Sequence, residues 1–168
     1  YVTGFLDAMG TDYIQYDDYP FKSSEEGFFI WTETVPYVDN TSLRNIQLIA
    51  ELAKERDLAV KVVTQSCLMR GGGSSGPVHI RQITESDARW LNNYLMGFGV
   101  KQINYFTYWT KSDNNTEHFI DGNSFITWYG EKTNIYHWMQ KIMAEEQKLA
   151  PVILNFDYQT SKLYMKQP

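Results

Sequence analysis

The residues best suited to chemistry in this sequence follow three short apolar stretches. Asp17-Asp18-Tyr19-Pro20-Phe21 comes after Tyr13–Tyr16, and Thr64-Gln65-Ser66-Cys67 after Ala59–Val63. Tyr108-Trp109 closes the stretch from Gln102, with Glu117-His118 and Asp121-Gly122 beyond it. Carboxylates, a carboxamide and aromatic rings together suit carbohydrate: sugar hydroxyls need hydrogen-bond partners, and sugar C–H faces stack on Trp or Tyr. In that reading Asp17, Tyr19, Gln65, Tyr108, Trp109, Glu117 and His118 contact the ligand. Each also has a plainer reading. Asp17-Asp18 before Tyr19-Pro20 is ordinary turn chemistry, and Trp109 is equally at home in a core.

Other chemistries find less support. The run Arg70-Gly71-Gly72-Gly73-Ser74-Ser75-Gly76-Pro77 lacks the Gly-Lys-Ser/Thr ending of a phosphate loop and reads as a mobile surface loop. His118 has no second metal ligand at a usual spacing, and His79 and His137 are scattered. Ser66 has no His/Asp partner in motif context. Cys67 is the lone cysteine, so an intrachain disulfide is excluded. No metal or cofactor is therefore expected. The net charge of −5 and the lack of Lys/Arg clusters argue against nucleic acid, and no apolar run is long enough to cross a membrane. Aromatic residues make up 15% of the chain, with five Trp and twelve Tyr. That surplus fits a ligand site or interface as well as a core.

The elements that must position these residues follow from periodicity. Tyr13–Tyr16, Ala59–Val63 and Gln102–Trp109 are short and rich in β-branched or aromatic residues, as buried strands are. Leu43, Ile46, Ile49 and Leu52 or Ala53 form a helical stripe, with Asn40, Thr41 or Ser42 as N-cap. Ala88, Leu91, Leu95 and Phe98 form a second, opened by Thr84 and Asp87 at capping-box spacing and closed by Gly97 and Gly99. Ile135, Trp138, Met139, Ile142 and Met143 form a third, which is expected to stop before Pro151. The order β-α-β-α-β-α implies parallel strands joined by right-handed crossovers. In such a sheet ligands bind at the carboxyl ends of the strands, where the candidate residues lie. Residues 1–10 read as the end of a preceding helix and 152–168 as an extended segment leading toward a missing domain.

Taken together, Tyr16-Asp17-Asp18-Tyr19-Pro20-Phe21, Val63-Thr64-Gln65-Ser66 and the run from Gly99-Val100 to Tyr108-Trp109 resemble strands six, seven and eight of a glycoside-hydrolase-like barrel. The likeness is to family 42 β-galactosidases and related glycosidase-like proteins. Gly130-Glu131-Lys132-Thr133 with Ile135-Tyr136 resembles the start of the closing helix. The resemblance implies an incomplete TIM barrel over residues 1–151, a partial (β/α) barrel of three parallel βα units. A full barrel takes about 250 residues, against 168 in this chain, and the opening at Tyr1 reads as a piece of a longer protein.

The resemblance also implies a departure. The strand-seven nucleophile of this clan is a Glu, and the matching place holds Thr64 beside Gln65. The acid/base lies on strand four, outside this chain, and hydrolysis by the usual route needs two carboxylates. The expectation is a fragment inactive alone, with Asp18, or Glu33, as a replacement catalytic carboxylate in the parent. The alternatives are a carbohydrate-binding relative that does not cleave, or a structural α/β domain without ligand. The exposed outer strands of a partial barrel would favour self-association.

Overall fold

The computed structural model describes residues 2–23, 36–73, 76–110 and 122–161. Its elements in order are α1 (Val2–Met9), β1 (Tyr13–Asp17), β2 (Phe21–Ser23), β3 (Pro36–Val38), α2 (Asn40–Arg56), β4 (Ala59–Gln65), β5 (Met69–Gly73), β6 (Gly76–Ile80), α3 (Glu85–Gly97), β7 (Val100–Phe106) and α4 (Asn134–Ile153). The chain is mixed α/β. Strands β1, β4 and β7 form a three-stranded parallel sheet in the order β1-β4-β7, with Tyr13 opposite Ala59 and Gln65 opposite Phe106.

Strand alternation sorts the two faces of this sheet. Ile14, Val60, Val62 and Val100 are buried, with Tyr16, Ile103 and Tyr105 packed beside them, against Ile46, Ala50 and Ala53 of α2, Leu91 and Leu95 of α3, and Met139 and Ile142 of α4. The opposite face is polar. Tyr13, Gln15, Asp17 and Gln102 are exposed there, Lys61 lies over the Tyr13 ring, and Gln102 donates to Asn104. A register irregularity after Val60 skips Lys101. The Lys101 ammonium instead reaches the Leu154 and Phe156 carbonyls at 3.0 and 2.7 Å, where cations suit a helix C-terminus.

A second sheet was not foreseen. Strands β2, β3, β5 and β6 pair antiparallel in the order β3-β2-β6-β5, and they are cut from the connections that follow β1 and β4. The glycine-rich run expected as a loop is the β5–β6 hairpin, Met69–Gly73 against Gly76–Ile80. Met69, Ile80 and Cys67 form a small separate core.

The helix ends differ from expectation in two places. Asp39, not Asn40, Thr41 or Ser42, caps α2, accepting from the Thr41 N–H at 2.8 Å, and Lys22 pairs with it. Helix α4 does not stop before Pro151 but carries it in the last turn, where the Leu154 N–H again bonds the Ala150 carbonyl. A proline so near the end forfeits little of the ladder. After α4, residues 154–161 run back along the end of α3, and the rest of the segment expected to be extended, 162–168, lies outside the described residues. Tyr158 stacks on Phe98 at 5.6 Å and abuts Gly99, whose φ of +76° ends the α3 turn. The Thr84–Asp87 capping box is present as read.

Candidate functional site

The carboxyl ends of β1, β4 and β7 meet the second sheet, and this junction decides what each candidate residue can do. Gln65, the last residue of β4, is 0% exposed. Its Oε1 accepts the Phe21 N–H at 2.8 Å, and its Nε2 donates to the Phe21 and Arg81 carbonyls at 3.2 and 2.9 Å. Both amide hydrogens are spent on backbone, so Gln65 clips β2 to the end of β6 and is removed from the ligand-binding set.

Asp18 needs a similar correction. Its backbone N–H continues the sheet to the Val63 carbonyl at 2.9 Å. Its carboxylate turns to the helix face, where Ser42 of α2 donates to Oδ1 at 2.7 Å. The space beside it is a cavity of about 10 Å³, too small for a sugar ring. Burial pushes the Asp18 carboxyl above its ordinary range, with Ser42 and Lys22 opposing that shift. Half-buried and turned to Ser42 beside a void too small for a saccharide, Asp18 does not face the rim as the catalytic carboxylate expected from the sequence. Thr64 beside it is buried on the same helix face.

Asp17 points the other way and is exposed. The Tyr19 hydroxyl donates to its Oδ2 at 3.3 Å, while the Tyr19 ring packs on the small core and meets Phe106 edge-on at 6.3 Å. Burial, then the charge of Asp17, push the Tyr19 phenol up to about 12, so it stays a donor throughout the physiological range. The rim therefore runs from Asp17 through Tyr19 to the end of β7.

The aromatic part of the rim is built on a loop that was not read from the sequence. Beyond Phe106 the chain pairs with residues 122–133: the Ile126 N–H bonds the Tyr108 carbonyl and the Thr110 N–H bonds the Ile126 carbonyl. Ser66 donates to the Thr107 carbonyl at 2.6 Å and shares a 2.9 Å contact with Ser124. Thr133, the N-cap of α4, ties the loop's other end to the Ser124 carbonyl at 2.6 Å. Held this way, Trp128 stacks on Trp109 at 5.3 Å with planes 8° apart. The Trp109 indole N–H donates to the Thr127 carbonyl at 2.9 Å, which fixes its ring.

Trp109 is 53% exposed and Trp128 42%, so neither is core. The separation leaves no room between the rings, and a ligand would use an outer indole face. Tyr108 is 61% exposed and stacks on Phe125 at 5.7 Å. Tyr129 projects beside them, 81% exposed. Trp128 was missed because it belongs to no periodic element. Its one sequence signal was the density of rings from Phe125 to Tyr129.

Glu117, His118, Asp121 and Glu33 lie outside the described residues. Among the described residues no group of three His, Cys, Asp or Glu is arranged to hold a metal, and no helix is long and apolar enough to cross a membrane. Comparison with family models, curated proteins and solved structures gives no match.

Proposed function

We propose that this chain is one wall of a (β/α) barrel whose rim binds carbohydrate, and that the wall serves binding rather than glycoside cleavage. The parallel-stacked Trp109–Trp128 pair carries this reading. It offers a rigid, exposed indole face at the carboxyl end of β7, the position where parallel α/β sheets place ligands. A pyranose laid on that face would bury its C–H side, and Asp17 with Tyr19 would serve hydroxyls further along the rim.

The barrel reading draws on the parallel sheet itself. Parallel sheets are ordinarily covered on both faces, and here the polar face stays exposed at Gln15, Asp17 and Gln102. A barrel would cover this face by closing the sheet on itself. Binding is preferred over cleavage because hydrolysis by the usual route needs two carboxylates across the bond. Of the two carboxylates named at the end of β1, Asp18 turns away to Ser42 and Asp17 alone remains exposed.

The test is a titration with mono- and disaccharides followed by tryptophan fluorescence, with Trp109→Ala and Trp128→Ala as variants. Saturable binding that weakens roughly tenfold or more in either variant is expected, the loss typical of a buried aromatic contact. Binding unchanged in both variants would refute the platform. Release of a chromogenic aglycone by this chain would refute the non-hydrolytic assignment.

A further inference from the structure

Directly beneath the turn that carries Asp17 and Tyr19, the sheet and helices α2 and α3 line the cavity of about 10 Å³ beside Asp18. Its polar lining is Asp18, Ser42, Thr64 and Tyr94, and aliphatic side chains of β4, α2 and α3 make up most of the rest. Thr64 is 0% exposed, and its hydroxyl has no hydrogen-bond partner among protein atoms. An unpaired buried hydroxyl lowers the folded population on the order of tenfold, so a hydroxyl-bearing side chain here calls for a partner.

We propose that this cavity is the site of a single internal water bound by the Asp18 carboxylate, the Thr64 hydroxyl and the Tyr94 hydroxyl. The size fits, because one water occupies about 10–15 Å³ measured this way. The partners fit as well. A buried water makes roughly 2–4 hydrogen bonds, and here three are available. Ser42 takes only Oδ1 of Asp18, leaving acceptor capacity on the carboxylate. Tyr94 donates its proton to the Leu43 carbonyl at 3.3 Å, so its oxygen can accept. The water donates to Asp18 and to Tyr94 and accepts from Thr64. A hard divalent cation needs about six or more oxygen ligands, more than a cavity of one water's size brings together.

Such a water joins the turn after β1 to β4 and α3 at one point and anchors the turn from Asp17 to Pro20 to the helix layer. The site is independent of whether the rim above it binds sugar.

The first measurement needs only the wild-type chain: a water-to-Thr64-methyl cross-relaxation peak whose sign reports a long-lived bound water. That peak is expected, and its absence in a folded, assigned sample would overturn the proposal. The second compares Thr64→Val, which replaces the hydroxyl by a methyl of the same shape, with Thr64→Ser, which keeps it. Thr64→Val should reduce the folding equilibrium constant by roughly tenfold, with Thr64→Ser affected less. A Thr64→Val variant as stable as wild type or more so would mean the hydroxyl had no partner to lose, and would overturn the site.

Discussion

At Gln65 the deciding quantity is hydrogen-bond capacity. Its amide serves Phe21 and Arg81 from a fully buried position, and truncation would strand backbone groups away from water. Gln65→Leu is therefore predicted to cost about 3 kcal/mol in urea unfolding, a loss of stability that a direct ligand contact would not produce. At Asp18 the deciding quantity is burial. Its folded carboxyl binds a proton more tightly than the unfolded chain does, so its contribution to stability is greatest at low pH. It declines as pH rises from the ordinary range near 4 through the raised folded value. Wild-type stability measured relative to Asp18→Asn should fall across that window and flatten above it. A difference that rises with pH would contradict the burial of this group. Residue types at positions 17, 18 and 65 were legible, but their directions were not. Asp17 and Asp18 are adjacent, and a strand sends neighbours to opposite faces, so which one meets the rim depends on a phase that the turn before Pro20 leaves open.

Elements were legible where a period or a cap announced them. Helix α3 shows both: its apolar stripe is buried, and Thr84 and Asp87 close the predicted box. Asp87 also takes a bidentate pair from Arg81 at 2.6 and 2.8 Å. Burial alone would push the Asp87 carboxyl up, and Arg81 with Thr84 more than offsets it, holding the carboxyl below its usual range. A lowered folded value means stability present above the ordinary range and lost as pH falls through the folded one. Asp87→Asn should cost about 2 kcal/mol at neutral pH, combining a lost cap and an unpaired, half-buried Arg81, and the deficit should shrink on acidification. The second sheet was illegible because β2 and β3 are three residues each, and the glycines of β5 supply no side chain to alternate. The loop carrying Trp128 was illegible for a different reason, since hydrogen bonds to residues 107–110 after β7 and to Thr133 hold it in place of any periodic pattern. Gly122 starts it against Leu68, where an added Cβ would come within 2.9 Å of the Leu68 backbone nitrogen. Gly122→Ala is predicted to destabilise by roughly 1–3 kcal/mol and to weaken saccharide binding by shifting Trp128. Full binding in that variant would show that the loop tolerates displacement.

At the scale of the molecule, the sheet is short and has two outer strands, β1 and β7, on either side of β4. Beside β1, Val2, Phe5 and Met9 of α1 are exposed along a groove of about 540 Å³. Outer strands flanked by apolar surface are prone to association, and a mass that rises with concentration in light scattering is the expected behaviour. A constant monomer mass would count against the open-wall reading. The alternation of strands and helices was enough to reveal parallel pairing, and the order β1-β4-β7 follows it. Saturation-transfer NMR tests the proposed sugar-binding aromatic rim most directly, with saturation applied to the indole protons and read on a neutral saccharide. Transfer concentrated on the C–H protons of one sugar face and abolished in Trp109→Ala is expected. Absence of transfer with a broad saccharide panel, or transfer that survives loss of Trp109, would contradict it.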